Sequence, residues 1–297
     1  MTALALTALA VLLSLAAPVL LTRARWLERV PQAAVVVWQS VALAAVLAAV
    51  GAALAAPEEV LRALHGGRLV PGPALVVGAA TALLLAGIIV VRLAVAAVRL
   101  ALDTRRRRRR HLEMLDLLEG VARERSRLHV LAARLPLAYC IPGRPGRVVL
   151  TDATLDLLAP EEVEAVVAHE LAHLRARHDL VIEAFTALHA AFPRLVRSRL
   201  ALDSVNRLLE MLADDAARRT VDPEALRSAL AKLAGTADPK AEIEARLSRL
   251  GGPDGPAARH RTALTAAAYG LAGAVLAVPT VAIVGPWLRT AFGALPL

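Results

Sequence analysis

The sequence predicts a mainly α membrane protein: four transmembrane helices, with a cytoplasmic α+β domain inserted between the third and the fourth. Three observations carry this. Hydrophobic residues make up 57% of the 297, and mean hydropathy is +0.56, whereas ordinary globular domains hold roughly 45–50% apolar residues. Aromatics are only 3%, so the apolar mass is Ala, Leu and Val, gathered in four long runs. About 155 more polar residues separate the third run from the fourth, enough for one folded domain. Such a composition excludes a disordered, collagenous or disulfide-stapled chain. The single cysteine, Cys140, has no partner for an intrachain bridge.

A helix rises about 1.5 Å per residue, so roughly 20 apolar residues cross a hydrocarbon core of about 30 Å. The predicted spans are residues 2–22, 33–56 and 74–98, within a first segment 1–102, and a fourth at 262–288 within 259–297. The second span has no charge. The third is uncharged through Val91 and is expected to continue past Arg92 and Arg99 as an amphipathic extension, with Arg92 snorkelling to the headgroups. Pro279 predicts a kink in the fourth, of the kind that neighbouring helices accommodate.

Charge sets the orientation. Lys and Arg total 35 and Asp and Glu 26, so the net charge is 35 − 26 = +9. Arg23, Arg25 and Arg29 follow the first span, and Arg105 to Arg110 follow the third. The positive-inside rule places both clusters in the cytoplasm. The termini and the short loop 57–73 are then outside, and the domain 103–258 is cytoplasmic. A signal peptide carries its charges before the apolar stretch. Here they come after it, so the first run reads as a retained span. The arginine run reads as an anchor on anionic lipid, worth about 1 kcal/mol per residue near the surface. No aromatics interleave with it, so nucleic acid is not an expected partner; the bilayer of the plasma membrane is.

Within the inserted domain, residues 111–134 have helical periodicity through Leu112, Leu115, Leu118 and Val121. Residues 138–141 and 147–151 read as short strands about a Gly-Pro turn, a hairpin or small sheet. A long helix is expected from Pro160 to about 178. Proline suits a first turn, and Glu161, Glu162 and Glu164 suit the positive end of the dipole. Helices are further predicted at 181–202, 204–219, 223–234 and 241–250. A Gly/Pro linker, 251–256, leads into the last span.

The chemistry lies in His169-Glu170-Leu171-Ala172-His173, an H-E-x-x-H motif on a predicted helix. Residues four apart differ by about 40° around the axis, so both imidazoles share a face and can approach one zinc ion. Glu170 lies about 100° round from His169, beside the metal, as a base and not a ligand. An amphipathic helix with two incidental histidines would look similar. Against that, the motif falls mid-helix, in Ala/Val/Leu surroundings where a charged glutamate without a role is costly. Glu210 is available as a third ligand, leaving a fourth position for water. Asp214, four residues on, shares its face and can fix the tautomer of a ligand imidazole. Asp215 reads as a surface or helix-terminal charge.

His178 follows His173 by five with no intervening glycine. It does not fit the H-E-x-x-H-x-x-G-x-x-H pattern and falls opposite His169 on a continuing helix. His65, His111, His129 and His189 have no such partners. Tyr139, His178 and several arginines are candidate oxyanion donors. Strand 147–151 is expected to offer an edge on which an extended substrate adds.

Joined together, these features resemble the integral-membrane zinc metallopeptidases of the BlaR/MecR antibiotic-sensor type. The residues that carry the resemblance are Pro160-Glu161-Glu162-Val163-Glu164-Ala165-Val166-Val167 leading into the motif, Glu210 to Asp214, the Ile141-Pro142-Gly143 turn and the strand from Val148 to Thr151. The four spans agree. The resemblance implies a zincin-like domain with one Zn2+ per chain, held by His169, His173 and Glu210, and water activated by Glu170. It also implies a cytoplasmic protein substrate such as a BlaI/MecI-like repressor. Antibiotic sensors carry a penicillin-binding domain after the last span. This chain stops at Leu297 and is expected to match the protease module alone. A quality-control or processing zinc protease of the membrane, and a non-catalytic signalling scaffold, are the alternatives. The complete His/His/Glu set with its base favours an enzyme.

Overall fold

The computed structural model describes residues 2–65, 72–119, 128–192, 199–233, 240–251 and 258–293. They fall into two compact units. One comprises Met1–Val98, Thr186–Ser204 and Ala258–Leu297, and the other Arg99–Phe185 and Val205–Ala257.

The first unit is helical. Helix α1 (Thr2–Val11), a π-helical turn (Leu12–Ala16) and α2 (Ala17–Arg23) form one apolar rod. A 3₁₀ turn (Arg25–Arg29) leads into α3 (Pro31–His65). Helices α4 (Pro73–Glu119) and α11 (Ala258–Gly293) complete the set. Among the described residues, four stretches are long and apolar enough to cross a membrane: Thr2–Arg23, Pro31–Pro57, Val76–Met114 and His260–Gly285. Helix α3 packs against α1 and α11 through small residues. Ala48 and Ala52 are buried with Leu6, against Ile283. A Cβ on Gly51 would stand 2.7 Å from the Ile283 side chain, so glycine is what allows this close crossing. On α4 the apolar side chains Val76, Leu84 and Val91 are exposed, as lipid-facing residues would be.

One boundary differs from expectation. Helix α3 continues through Pro57 to His65 where a loop was predicted. A proline costs one ladder hydrogen bond, but its φ remains helical. Helix α11 runs through Pro279 as one element, which is compatible with the kink predicted there. Arg92 Nε donates to the Ala191 carbonyl at 2.9 Å. The rest of the predicted loop (66–71) and the end of the tail (294–297) lie outside the described residues.

The second unit is built on a three-stranded sheet of β1 (Leu128–Leu131), β2 (Ala138–Ile141) and β3 (Arg147–Thr151), in the order β1-β3-β2. Strands β2 and β3 form the expected antiparallel hairpin, with Tyr139 opposite Val149. Strand β1 corrects the sequence reading. Helix α4 ends at Glu119, residues 120–127 lie outside the described residues, and Leu128–Leu131 pair parallel with β3. Pairing to a partner distant in sequence overrides local helical preference there. The same pairing overturns the predicted edge. Strand β3 is central and both its ladders are occupied, and Val148, Val149 and Leu150 are buried.

Helices α5 (Asp152–Leu157), α6 (Pro160–Ala176), α7 (His178–Ala191), α8 (Arg199–Ala217), α9 (Pro223–Leu233) and α10 (Lys240–Gly251) follow. Helix α8 starts five residues before the predicted 204. Residues 193–198, 234–239 and 252–257, the last holding most of the predicted linker, lie outside the described residues. Helix α6 is held on two sides. Val166 packs with Leu150, Leu158 and Ala229, and Ala165 packs with Ala217 and Leu226.

Both ends of α6 are specified. Pro160 opens it, but its N-cap, Ala159, has no side-chain oxygen. Glu162 compensates: its carboxylate accepts from the Ala159 N–H at 2.7 Å, from Ser228 Oγ at 2.5 Å and from Lys232 Nζ at 2.6 Å. The first turn of α6 is thereby latched to α9. At the other end Arg177 adopts φ 53°, a left-handed conformation that costs a non-glycine residue roughly 1–2 kcal/mol. This break ends α6 at Ala176, short of the expected 178, and starts α7 in a new direction.

Candidate active site

Helix α6 carries His169 and His173, and α8 carries Glu210 and Asp214. The structure brings all four together. His169 Nε2 and His173 Nε2 are 3.2 Å apart. Glu210 places Oε2 at 3.3 Å from His169 Nε2 and Oε1 at 3.3 Å from His173 Nε2. Four donors arranged tetrahedrally about 2.0–2.1 Å from a zinc ion would be separated by about 3.3–3.4 Å. The three donors present therefore match the edges of such a tetrahedron. Asp214, fully buried, sets Oδ1 at 2.9 Å from Nδ1 of His169, on the far side of the ring from the cluster. That is the position from which a carboxylate orients a ligand imidazole.

The same region accounts for what the chain is similar to. Residues 101–268, more than half of the sequence, match peptidase family M48. The chain belongs to peptidase family M48. No curated protein and no solved structure matches it. M48 membership implies zinc-dependent proteolysis. That is the general class the BlaR/MecR resemblance implied, without its antibiotic-sensor specificity.

The electrostatics of this M48 site favour a cation. Burial disfavours a charged His169, yet Asp214 and Glu210 outweigh it and raise its pKa to about 10. Burial likewise opposes ionisation of Glu210 and Asp214. The hydrogen bonds and charges of His169 and His173 on the first, and of Arg246 and His169 on the second, hold both below the ordinary carboxylate range. A pocket that keeps two carboxylates ionised beside facing imidazoles suits a divalent metal.

Sequence reasoning missed two contributors, and a third that it weighed sits differently from its expected place. Arg246, buried on α10, donates from Nε and Nη2 to the two Asp214 oxygens at 2.8 Å each, and its Nη1 lies 3.0 Å from Glu210 Oε2. Its signal was an arginine on the buried stripe of α10, three residues after the buried Ile243. Cys140 on β2 lies beside Glu170. Burial first, then the adjacent Glu170 carboxylate, push the thiol up to about 12, so it stays protonated. Nothing in the sequence set β2 over α6. The third is His178. After the break at Arg177 its Nδ1 lies 3.0 Å from Nδ1 of His173, so it faces the back of that ring and is not among the three clustered donors. Burial first, then the neighbouring histidines, push its pKa down to about 4. It is neutral at pH 7.

Other candidates fall elsewhere. The Tyr139 hydroxyl lies 2.7 Å from His111 Nε2, and neighbouring strand residues point to opposite faces. It therefore faces away from Glu170, which Cys140 touches. Asp215 is not a free surface charge, since Arg249 Nη2 meets it at 2.5 Å.

Proposed function

We propose that this chain is a membrane-embedded zinc endopeptidase that hydrolyses peptide bonds of a cytoplasmic protein. The observation that carries the reading is the triangle of His169, His173 and Glu210 donor atoms, 3.2–3.3 Å on each side, in a chain of the M48 family. When bound there, zinc supplies Lewis acidity, polarising a scissile carbonyl and lowering the pKa of water from 15.7 toward about 7.

The protein's residues do the rest. Glu170 takes a proton from the attacking water and returns it to the leaving amine. The protonated Cys140 thiol lies beside the Glu170 carboxylate. Asp214 and His178 fix the two imidazole rings from behind. Arg246 keeps Asp214 ionised and lies against Glu210. Since β3 is central, an extended substrate would add to an outer strand. Strand β2 is the outer strand that touches the motif helix.

The four apolar helices and the arginine run support a multi-pass protein of the plasma membrane with its catalytic unit in the cytoplasm and its termini outside. The BlaR/MecR resemblance favours a regulatory substrate such as a BlaI/MecI-like repressor. A second reading, a general quality-control or processing protease of the membrane, is favoured by the match to M48 as a family. A scaffold without catalysis is the weakest, because base and donor set are both complete.

The first test is metal content of the detergent-purified protein by mass spectrometry, wild type beside Glu210→Ala. About one zinc per wild-type chain, and much less in the variant, is expected. A wild type that holds no zinc after reconstitution would sink the reading. Comparing Glu170→Gln with wild type on a cytoplasmic repressor and on an unfolded membrane protein then separates the two protease readings.

A further inference from the structure

In the second unit, an open groove of about 370 Å³ lies along helix α6. The Pro142–Gly146 turn between β2 and β3 forms one wall, and Leu171 and Leu174 of α6 form the floor. The turn sits close on this floor: a Cβ on Gly146 would stand 3.1 Å from the Leu174 side chain. The rim is cationic. Arg144 projects from the turn, and Arg175 and Arg177 from the end of α6. Arg177 is drawn to Asp179, 3.4 Å away. Arg144 and Arg175 are exposed, and among the described residues neither has a hydrogen-bond or ion-pair partner. No acidic residue lines the groove.

Its position follows from helical geometry. Leu174 is four residues after Glu170, so it shares that face of α6, one turn and about 6 Å further along the axis. An extended chain advances about 3.3 Å per residue. A peptide whose scissile bond lies at Glu170 would reach the groove within two or three residues.

We infer that this groove is a specificity subsite of the proposed endopeptidase, one that takes an acidic, apolar-containing stretch of the protein substrate beside the scissile bond. The inference rests on the endopeptidase reading for its orientation, though not for its binding chemistry. An apolar side chain covers Leu171 and Leu174. Flanking Asp or Glu carboxylates meet Arg144 and Arg175, whose planar guanidinium groups suit bidentate carboxylate contacts. Two unpartnered cations bordering an apolar floor, with no acid among them, are complementary to that chemistry and repel a basic segment.

The test is equilibrium binding to full-length, zinc-loaded Glu170→Gln protein in detergent. The probes are two short fluorescein-labelled peptides, one alternating Leu and Glu, the other Leu and Gln, read by anisotropy. The Glu peptide should bind about tenfold more tightly, a difference of about 1.4 kcal/mol. The difference should vanish when Arg144→Gln and Arg175→Gln are combined, and persist when both become Lys. Zinc content shows that each variant keeps its site. Equal binding of the two peptides overturns the inference. So does a preference that survives the double Gln change, or one lost instead on changing Arg106 and Arg107 to Gln. Phosphatidylglycerol vesicles form a further arm. If vesicle binding needs Arg144 and Arg175 while peptide binding does not, the rim serves lipid and the inference falls. Because the variant lacks the base, the two readings fail separately. A wild type inactive on every protein, beside a groove that still discriminates, counts against the endopeptidase alone.

Discussion

Asp214 and Arg246 form a buried ion pair that does two things at once. The carboxylate orients His169, and the guanidinium balances the negative charge that the donor cluster needs. Removing one member of a buried pair leaves the other uncompensated, which typically costs about 3–5 kcal/mol, while removing both costs much less. Arg246→Met should therefore destabilise the second unit more than the Arg246→Met/Asp214→Leu double variant does. Urea denaturation of the four members of this cycle measures it. If the double variant lost the sum of the two single losses, the pair would not be acting as a unit. Asp214→Asn keeps the shape and removes the charge. It should weaken zinc binding about 10–100-fold by chelator competition, and unchanged affinity would argue that Asp214 does not orient the ring.

At the scale of the element, α6 shows what local sequence determines. The H-E-x-x-H spacing, the acidic first turn and Pro160 fix a helix and the face on which both histidines lie, because these are i to i+4 effects. Glu210 and Asp214 share a face for the same reason. What could not be read depends on partners remote in sequence. Leu128–Leu131 became β1 only because β3 had a side to pair, and that pairing is also why β3 is no edge. Cys140 meets Glu170 only through the stacking of β2 on α6, and His178 meets His173 only because Arg177 turns left-handed. Glu162 illustrates how such a remote partner supports a local feature. Burial opposes its ionisation, but Lys232, Ser228 and the Ala159 N–H outweigh that and lower its pKa from the ordinary 4.5 to about 2. A carboxylate depressed in the folded state contributes stability in full above its unfolded pKa and loses it as pH falls through the folded one. The wild type should therefore lose stability between about pH 4.5 and pH 2 with a slope that Glu162→Gln lacks. Urea midpoints across that range, variant against wild type, test it. Parallel curves would show that the latch between α6 and α9 contributes nothing through its charge.

For the whole molecule, α4 carries both a candidate span and the arginine run. Its 47 residues make about 70 Å of helix, more than twice the roughly 30 Å of a hydrocarbon core. The excess carries Arg105 to Arg110. Arg108 is held within the protein by Asp179 at 3.2 Å and Glu183 at 2.5 Å, while Arg105, Arg106, Arg107, Arg109 and Arg110 remain exposed. Arg108 thus serves the fold, and the other five arginines are the ones exposed for the proposed contact with anionic headgroups. With three candidate spans before His169 and one after Glu210, a cytoplasmic arginine run would put both ends of the chain outside. A fluorescent protein fused after Leu297 should stay dark and alkaline phosphatase fused there should be active; fusions at Arg110 should behave the opposite way. Replacing the five exposed arginines with glutamine should weaken that polarity, whereas Arg108→Gln alone should leave it intact and instead loosen the contact with α7. If alkaline phosphatase after Leu297 were inactive, either the fourth helix would not cross or the chain would run the other way. The Arg110 fusion separates these, because only an inverted chain would make it active with alkaline phosphatase, and an inverted chain would put Glu170 on the wrong side of the membrane for a cytoplasmic substrate.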